Sequence, residues 1–157
     1  MYNLSQDRQN GVPVLARALK RVLIIEDNPV HRRLMENELQ GEYDLVFAAD
    51  SQTALAYLGS PQATSFDLIV LDLFIPERIG ELPNSDEAMK ILSSSRRGPA
   101  IVLISGSPTE ALRSQFGQLE IKRIFEKPFS LTEFREYIDS LLRESDDKPL
   151  TEQPPKS

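Results

Sequence analysis

Apolar residues gather in five short runs along this chain, at 22–25, 43–48, 66–71, 100–104 and 121–125. Each is rich in β-branched and aromatic side chains and has the length of one strand. Amphipathic segments fill the gaps and predict helices over 28–39, 51–58, 84–92, 108–116 and 131–143. Asn28 followed by Pro29 supplies a capping side chain and a residue suited to the first helical position. Three other helix starts pair a capping residue with an acid three positions on: Asn84 with Glu87, Ser107 with Glu110, and Ser130 with Glu133. At that spacing each side chain satisfies the other's orphan backbone donor. Strict alternation of strand and helix implies right-handed crossovers. The expected fold class is therefore α/β, a doubly wound, five-stranded parallel sheet with helices on both faces.

Polar residues close four of the runs: Glu26 and Asp27 the first, Asp72 the third, Ser105 the fourth, and Lys127 followed by Pro128 the fifth. These are the carboxyl ends of the predicted strands, where open α/β sheets place their ligands. Asp72 interrupts an apolar stretch (Leu68 to Leu71, then Leu73, Phe74 and Ile75). An unpaired carboxylate there would cost several kcal/mol, so it needs a cation or a donor. If the first and third strands are neighbours, three carboxylates converge, and a hard divalent cation with oxygen ligands relieves their repulsion. Mg²⁺ suits that role. Lys127 and Ser105 reach the same spot from the other side. An ammonium, a hydroxyl and a metal around one carboxylate form the electrostatic cage wanted for phosphoryl transfer, with Asp72 as nucleophile. Singly, Asp27 reads as a helix starter, Ser105 as a turn residue before Gly106 and Lys127 as a surface lysine. Only as a set do they point to chemistry.

Composition narrows the field. With 157 residues the chain fits one ordinary domain, read as 21–143, with a 1–20 extension whose apolar part, 12–19, suits a short helix. The polar, proline-containing tail at 144–157 reads as disordered. There is no cysteine, which excludes disulfides and thiolate chemistry. The first residues lack a signal-peptide pattern and no apolar stretch has spanning length, so a cytoplasmic protein without membrane contact is expected. A formal charge of -6 argues against a nucleic-acid partner.

Four stretches, in order, carry a resemblance. They are VLIIEDNPVHRRLMENEL at 22–39, the Asp72, Pro76 and Gly80 spacing in VLDLFIPERIG, ISGSP at 104–108 and EKPFS at 126–130. The chain resembles, over roughly 20–143, the receiver domain of two-component response regulators, a family typified by the chemotaxis regulator. The resemblance implies a flavodoxin-like strand order 2-1-3-4-5. It implies Asp72 as phosphoacceptor, Mg²⁺ bound by Glu26, Asp27, Asp72 and the backbone carbonyl of Phe74, Ser105 as the hydroxyl following the phosphoryl group, and Lys127 as its cationic partner. A cis Lys127–Pro128 bond also follows from it. The implied partners are a histidine kinase or phosphotransfer protein as donor and a downstream protein whose binding is switched. A second copy of the chain could pair through the fourth helix, fifth strand and fifth helix, with Arg113, Lys122, Arg123, Glu133 and Asp139 as polar contacts. Such a domain is a signalling phosphoacceptor that acts only on itself, not a turnover enzyme.

Departures from the family pattern shape further expectations. Ile124 stands where the family usually has an aromatic residue, with Phe125 next, which speaks against a tyrosine-like rotamer switch. The stretch 81–86 is long and predicts a projecting loop near the site. Phe74, two residues after the acceptor, predicts slow autodephosphorylation, unless it packs into that loop. Among rivals, a flavin-binding module would need a Gly- and Ser/Thr-rich loop in place of Glu26-Asp27-Asn28-Pro29. A haloacid-dehalogenase-type phosphatase would need an acid at the position of Phe74. A receiver-like interaction scaffold would not need the intact set. His31 reads as a solvated helix residue in preference to a phosphohistidine relay.

Overall fold

Alternating side chains within each strand build a core on both faces of one sheet. The computed structural model describes residues 19–60, 66–95, 98–116 and 121–147. The chain runs β1 (Arg21–Ile25), α1 (Pro29–Leu39), β2 (Asp44–Ala48), α2 (Ser51–Leu58), β3 (Phe66–Asp72) and α3 (Ser85–Ser94). It continues through β4 (Ala100–Ser105), α4 (Thr109–Phe116), β5 (Ile121–Glu126) and α5 (Leu131–Asp147). All strand pairs are parallel, in the expected order β2-β1-β3-β4-β5.

On one face Leu23, Ile25, Ile69, Leu71, Ile101 and Leu103 pack with Ala54, Ile91, Leu92, Leu112 and Phe116 of α2, α3 and α4. On the other, Val22, Ile24, Leu68, Val70, Val102 and Ile104 pack with Met35 and Leu39 of α1 and Phe134, Ile138 and Leu142 of α5. Each of these side chains larger than alanine contributes roughly 1.5–3 kcal/mol by leaving water. Strands buried on both faces have no room for polar side chains along their length. Polar chemistry is thereby confined to their ends.

Strands β3, β4 and β5 each run one residue past the apolar pattern, to Asp72, Ser105 and Glu126. The ladder carries on across those ends, with Leu73 N donating to Ile104 O (3.0 Å) and Lys127 N to Ser105 O (2.7 Å). Helix α5 also continues beyond the predicted Arg143, so residues 144–147 are helical and not part of a disordered tail. The rest of that tail and the stretch 12–18 lie outside the described residues, while Leu19 is half exposed. Among the described residues no helix is long and apolar enough to cross a membrane.

Two predicted capping boxes form only by half. Asn84 Oδ1 accepts from Glu87 N (3.2 Å) and Ser130 Oγ from Glu133 N (3.1 Å). Neither acid folds back onto its cap. The Glu87 carboxylate accepts from buried Ser51 Oγ of α2 and from Lys90 Nζ (2.9 Å), and Glu133 pairs with Arg123 Nη2 of β5 (2.5 Å). Tertiary partners have claimed both acids. Asn84 N, left without its box, donates instead to Ile75 O (2.9 Å).

That bond is one of several that tie down the long segment after β3. Ser51 N donates to Pro76 O and Gln52 N to Glu77 O, each at 3.0 Å. Asp50 caps α2 by accepting from Thr53 N (2.8 Å), and its second oxygen accepts from Ile79 N (3.0 Å). Gly80, at φ +94°, makes the turn that a side chain would strain. The base of the loop is therefore fixed while Ile79 and Leu82, 73% and 88% exposed, project from it.

The α2–α3 seam is acid-sensitive by construction. Hydrogen bonds from Ser51 and then Lys90 hold the Glu87 carboxyl below its ordinary 4.5. Burial alone would raise Asp50, but the hydrogen bonds from Thr53 and Ile79 outweigh it and lower it below 3.8. Depressed folded values mean that this stability is present above the unfolded pKa values and is lost as pH falls through the folded ones. Glu87→Ala should cost about 1–3 kcal/mol at neutral pH, because it strands a buried serine hydroxyl. It should also flatten the fall in stability below about pH 4.5. Urea titrations of both proteins across pH check this; parallel pH profiles would contradict it.

Candidate functional site

The register of the sheet assembles the site. β1 and β3 pair Ile24 with Val70 and Ile25 with Leu71, so the next residues, Glu26 and Asp72, stand side by side. Side-chain alternation puts both on the face of Ile24 and Val70, toward α1 and α5. Pairing of Asp72 with Ile104, and of Ser105 with Glu126, brings Ser105 and Lys127 up on the opposite flank. All five predicted side chains, Glu26, Asp27, Asp72, Ser105 and Lys127, line one cavity at the carboxyl edge, together with Phe74.

Asp72 is 3% exposed and fully engaged: Oδ2 lies 2.5 Å from Lys127 Nζ, and Oδ1 accepts from Phe74 N at 2.9 Å. Glu26, 1% exposed, accepts from Asn28 N through Oε2 (3.0 Å). Its Oε1 is buried without a hydrogen-bond partner, 3.6 Å from Lys127 Nζ and 3.5 Å from His31 Nδ1. One carboxylate oxygen each of Glu26, Asp27 and Asp72 lies within 4.8 Å of the others. Burial first, then the Asp72 carboxylate beside it, pushes the Glu26 carboxyl up to about 8. Burial would lower Lys127, but its hydrogen bond and attraction to Asp72, then Glu26, prevail and raise it. The attraction thus favours the charged ammonium of Lys127.

These residues fit a hard divalent cation. The donors are all oxygens, they converge, and Glu26 adds a buried carboxylate oxygen without a hydrogen-bond partner. Ser105, 4% exposed, accepts from Ser107 N (2.9 Å), which leaves its own hydroxyl hydrogen to donate elsewhere. The Lys127–Pro128 bond is cis, as the resemblance implied.

Arg32 was missed by sequence reading. Its Nη1 donates to the carbonyls of Glu26 (2.8 Å) and Asp27 (3.0 Å), bracing the β1–α1 turn and setting a cation beneath the acids. An arginine one turn into a helix has no distinguishing pattern, so only the fold shows this. His31 is partly exposed and leans on Glu26, so it is more than a solvated helix residue. Phe74 is 60% exposed on the cavity rim and does not pack into the following loop.

Ile124 and Phe125 lie on opposite faces of β5. Ile124 packs with the α2–α3–α4 core, and Phe125 sits in an aromatic cluster with Phe129, Phe134 and Tyr137, ring centroids 5.4–5.8 Å apart. On the α4–β5–α5 face, Arg123 is paired with Glu133 and stacks on Phe125 and Tyr137. Asp139 accepts from Tyr43 Oη (2.5 Å) and Arg135 Nη1 (3.3 Å). The Arg113 side chain lies outside the described residues. Three of the five expected contact residues are thus already engaged within the chain.

Comparison with known proteins agrees with this geometry. The alkaline phosphatase synthesis transcriptional regulatory protein SphR of Synechococcus elongatus is 32% identical over 92% of this chain and 57% of its own length. The sensor histidine kinase TmoS of Ectopseudomonas mendocina is 29% identical over 78% of this chain and 12% of its own. The chain therefore spans about half the length of the first relative and a small part of the second. A CheY-like response regulator receiver domain protein from Methanospirillum hungatei superposes with a TM-score of 0.67 at 20% identity, covering 84% of this chain and 100% of that one, a likeness of fold. Residues 22–139 match the response regulator receiver domain family, and with the strand order and the site at the sheet's carboxyl edge this chain belongs to that family, the signalling domains of two-component systems.

Proposed function

We propose that Asp72 accepts a phosphoryl group from the phosphohistidine of a histidine kinase or phosphotransfer protein, and that the modified domain then binds a downstream partner differently. The observation that carries this reading is a buried Asp72 carboxylate held 2.5 Å from Lys127, with the carboxylates of Glu26 and Asp27 converging on it. An Asp72 oxygen attacks phosphorus in line as the bond to the donor's imidazole nitrogen breaks, and the imidazole leaves with that electron pair. Lys127 stays beside the incoming oxygens, and the free hydroxyl hydrogen of Ser105 turns toward one of them. Glu26, Asp27, Asp72 and the Phe74 carbonyl would hold Mg²⁺. When bound, the ion neutralises charge on the crowded acids and the phosphoryl oxygens.

A cleft of about 400 Å³ opens next to the cage, lined by Leu34, Met35, Phe129 and Leu131 together with Glu26, His31 and Lys127. It offers a donor protein an apolar footing within reach of Asp72. Lys127 and Ser105 contacts that exist only after transfer would bias the domain between two states. A partner on the α4–β5–α5 face, whether a second copy or another protein, must compete with the internal Arg123–Glu133 pair. The absence of cysteine suits a cytoplasmic setting. Nothing favours the phosphatase alternative, since Phe74 stands where its second acid belongs.

Treatment with acetyl phosphate and Mg²⁺ should add one phosphoryl group by mass spectrometry, and Asp72→Asn or chelation should abolish it. Equal labelling of both proteins would sink this reading. Lys127→Ala and Ser105→Ala should still bind Mg²⁺ by calorimetry yet lose most of the NMR shift response to beryllofluoride; responses of wild-type size in both would count against their role in switching. Phe74 adds neither a hydrogen bond to orient a hydrolytic water nor much space, so Phe74→Asn should shorten the phosphoryl lifetime about tenfold, one orienting interaction's worth. Because Phe74 is exposed, thermal stability should hardly change; an unaltered lifetime in the folded variant would reject the gating role.

A further inference from the structure

Among the described residues seven large apolar side chains are exposed, and five of them, Val30, Leu34, Phe74, Ile79 and Leu82, ring the carboxyl edge of the sheet. Scattered singly such residues mean little, but gathered on one edge they mark a contact surface. Apart from Phe74 they form two patches, on opposite sides of the sheet. On the α2–α3 side, Ile79 and Leu82 stand on a turn that is held from within. Glu81 N donates to Arg78 O (3.0 Å), Arg78 N donates back to Glu81 Oε1 (3.1 Å), and Ile79 N is anchored on Asp50 Oδ2 (3.0 Å). On the α1–α5 side, Val30 and Leu34 lie one turn apart on α1, and Leu34 lines the cleft of about 400 Å³ with Met35, Phe129 and Leu131. That volume holds two branched side chains at roughly 30 Å³ per carbon atom. One patch is a rigid apolar knob, the other an apolar hollow.

Charge matches as shape does. Around the knob the exposed acids Glu77, Glu81 and Asp86 outnumber Arg78, whereas Arg33 is the charged residue on the α1 face that carries Val30 and Leu34. Glu26 and Asp72 lie buried beneath the rim, so the surfaces brought together are the apolar patches and their complementary charges. A two-fold axis lying across the carboxyl edge exchanges the two sides of the sheet, which sets each copy's knob against the other's hollow. We infer that two copies of this chain pair in this way, Ile79 and Leu82 of each seated in the α1–α5 cleft of the other, and that the pair covers the mouth of the cavity holding Asp72. The turn is ordered before it docks, so little entropy is lost. Because the same cleft is the footing offered to a donor protein, pairing and donor binding exclude each other. The pairing stands apart from the chemistry of Asp72; its shielding effect rests on Asp72 being the phosphoacceptor.

Sedimentation velocity of the full chain from about 5 to 500 μM, bracketing micromolar affinity, should show the mass rise from one chain to two. Leu82→Asp should weaken the pair about a hundredfold, since two leucine contacts are lost together; its melting temperature should not change, because Leu82 is exposed. The chain has no cysteine, so Leu34→Cys and Leu82→Cys each introduce a single thiol. Oxidised as a mixture, the two variants should form the mixed 34–82 disulfide well above its random share. A one-chain mass throughout, pairing that survives Leu82→Asp, or random cross-links would overturn the inference. With acetyl phosphate and Mg²⁺, wild-type Asp72 should be labelled more slowly per chain at the upper concentration than at the lower, and Leu82→Asp equally at both. A wild-type rate independent of concentration would overturn the shielding. Labelling of neither protein would overturn the acceptor role, with the pairing still decided by mass.

Discussion

Everything at the carboxyl edge of this sheet turns on how a buried carboxylate finds its partners. Asp72 ends a strand whose four preceding residues, Leu68 to Leu71, are wholly buried, at a place where an unpaired ion costs several kcal/mol. Lys127, 2.5 Å away, supplies the compensating charge, and the Phe74 amide takes the other oxygen. Glu26 has no equal partner: Asn28 and distant approaches of Lys127 and His31 leave one of its oxygens orphaned, and burial with the neighbouring Asp72 pushes its pKa up to about 8. A single ammonium does not balance three carboxylates. One ammonium beside three acidic groups leaves a set that fits a divalent cation.

The surroundings are organised so that this set keeps its geometry. Arg32 clamps the backbone of the acidic turn from below, and the β-ladder runs on to hold Leu73 and Lys127 in place. On the far flank Asp50, Ser51 and Glu87 lock α2, α3 and the base of the β3–α3 loop together through buried hydrogen bonds.

Capping shows how local signals yield to tertiary partners. Asn84 and Ser130 cap their helices as their sequence context predicts, for that bond reaches only three residues along the chain. The reciprocal acids did not behave locally. Glu87 finds a buried hydroxyl on α2, and Glu133 finds a guanidinium on β5, each a stronger or less hydrated partner than a backbone amide at a helix end.

The sequence by itself determined the strands, the helices, their parallel arrangement and the polar set at the strand ends, because burial on both faces writes itself as apolar runs and because Glu26, Asp72 and Ser105 follow those runs directly and Lys127 one residue later; the strand order followed from the family resemblance. Helix ends were legible wherever a cap is local, as at Asn28, and less so at α5, whose added turn has no break in its polar pattern. Only the tertiary structure decided which charges meet. The clamp by Arg32, the lean of His31 on Glu26, the diversion of Glu87 and Glu133, and the exposure of Phe74 depend on distances between residues on different elements. No periodicity along a chain encodes such distances; they are set by strand register and helix packing once the core has formed.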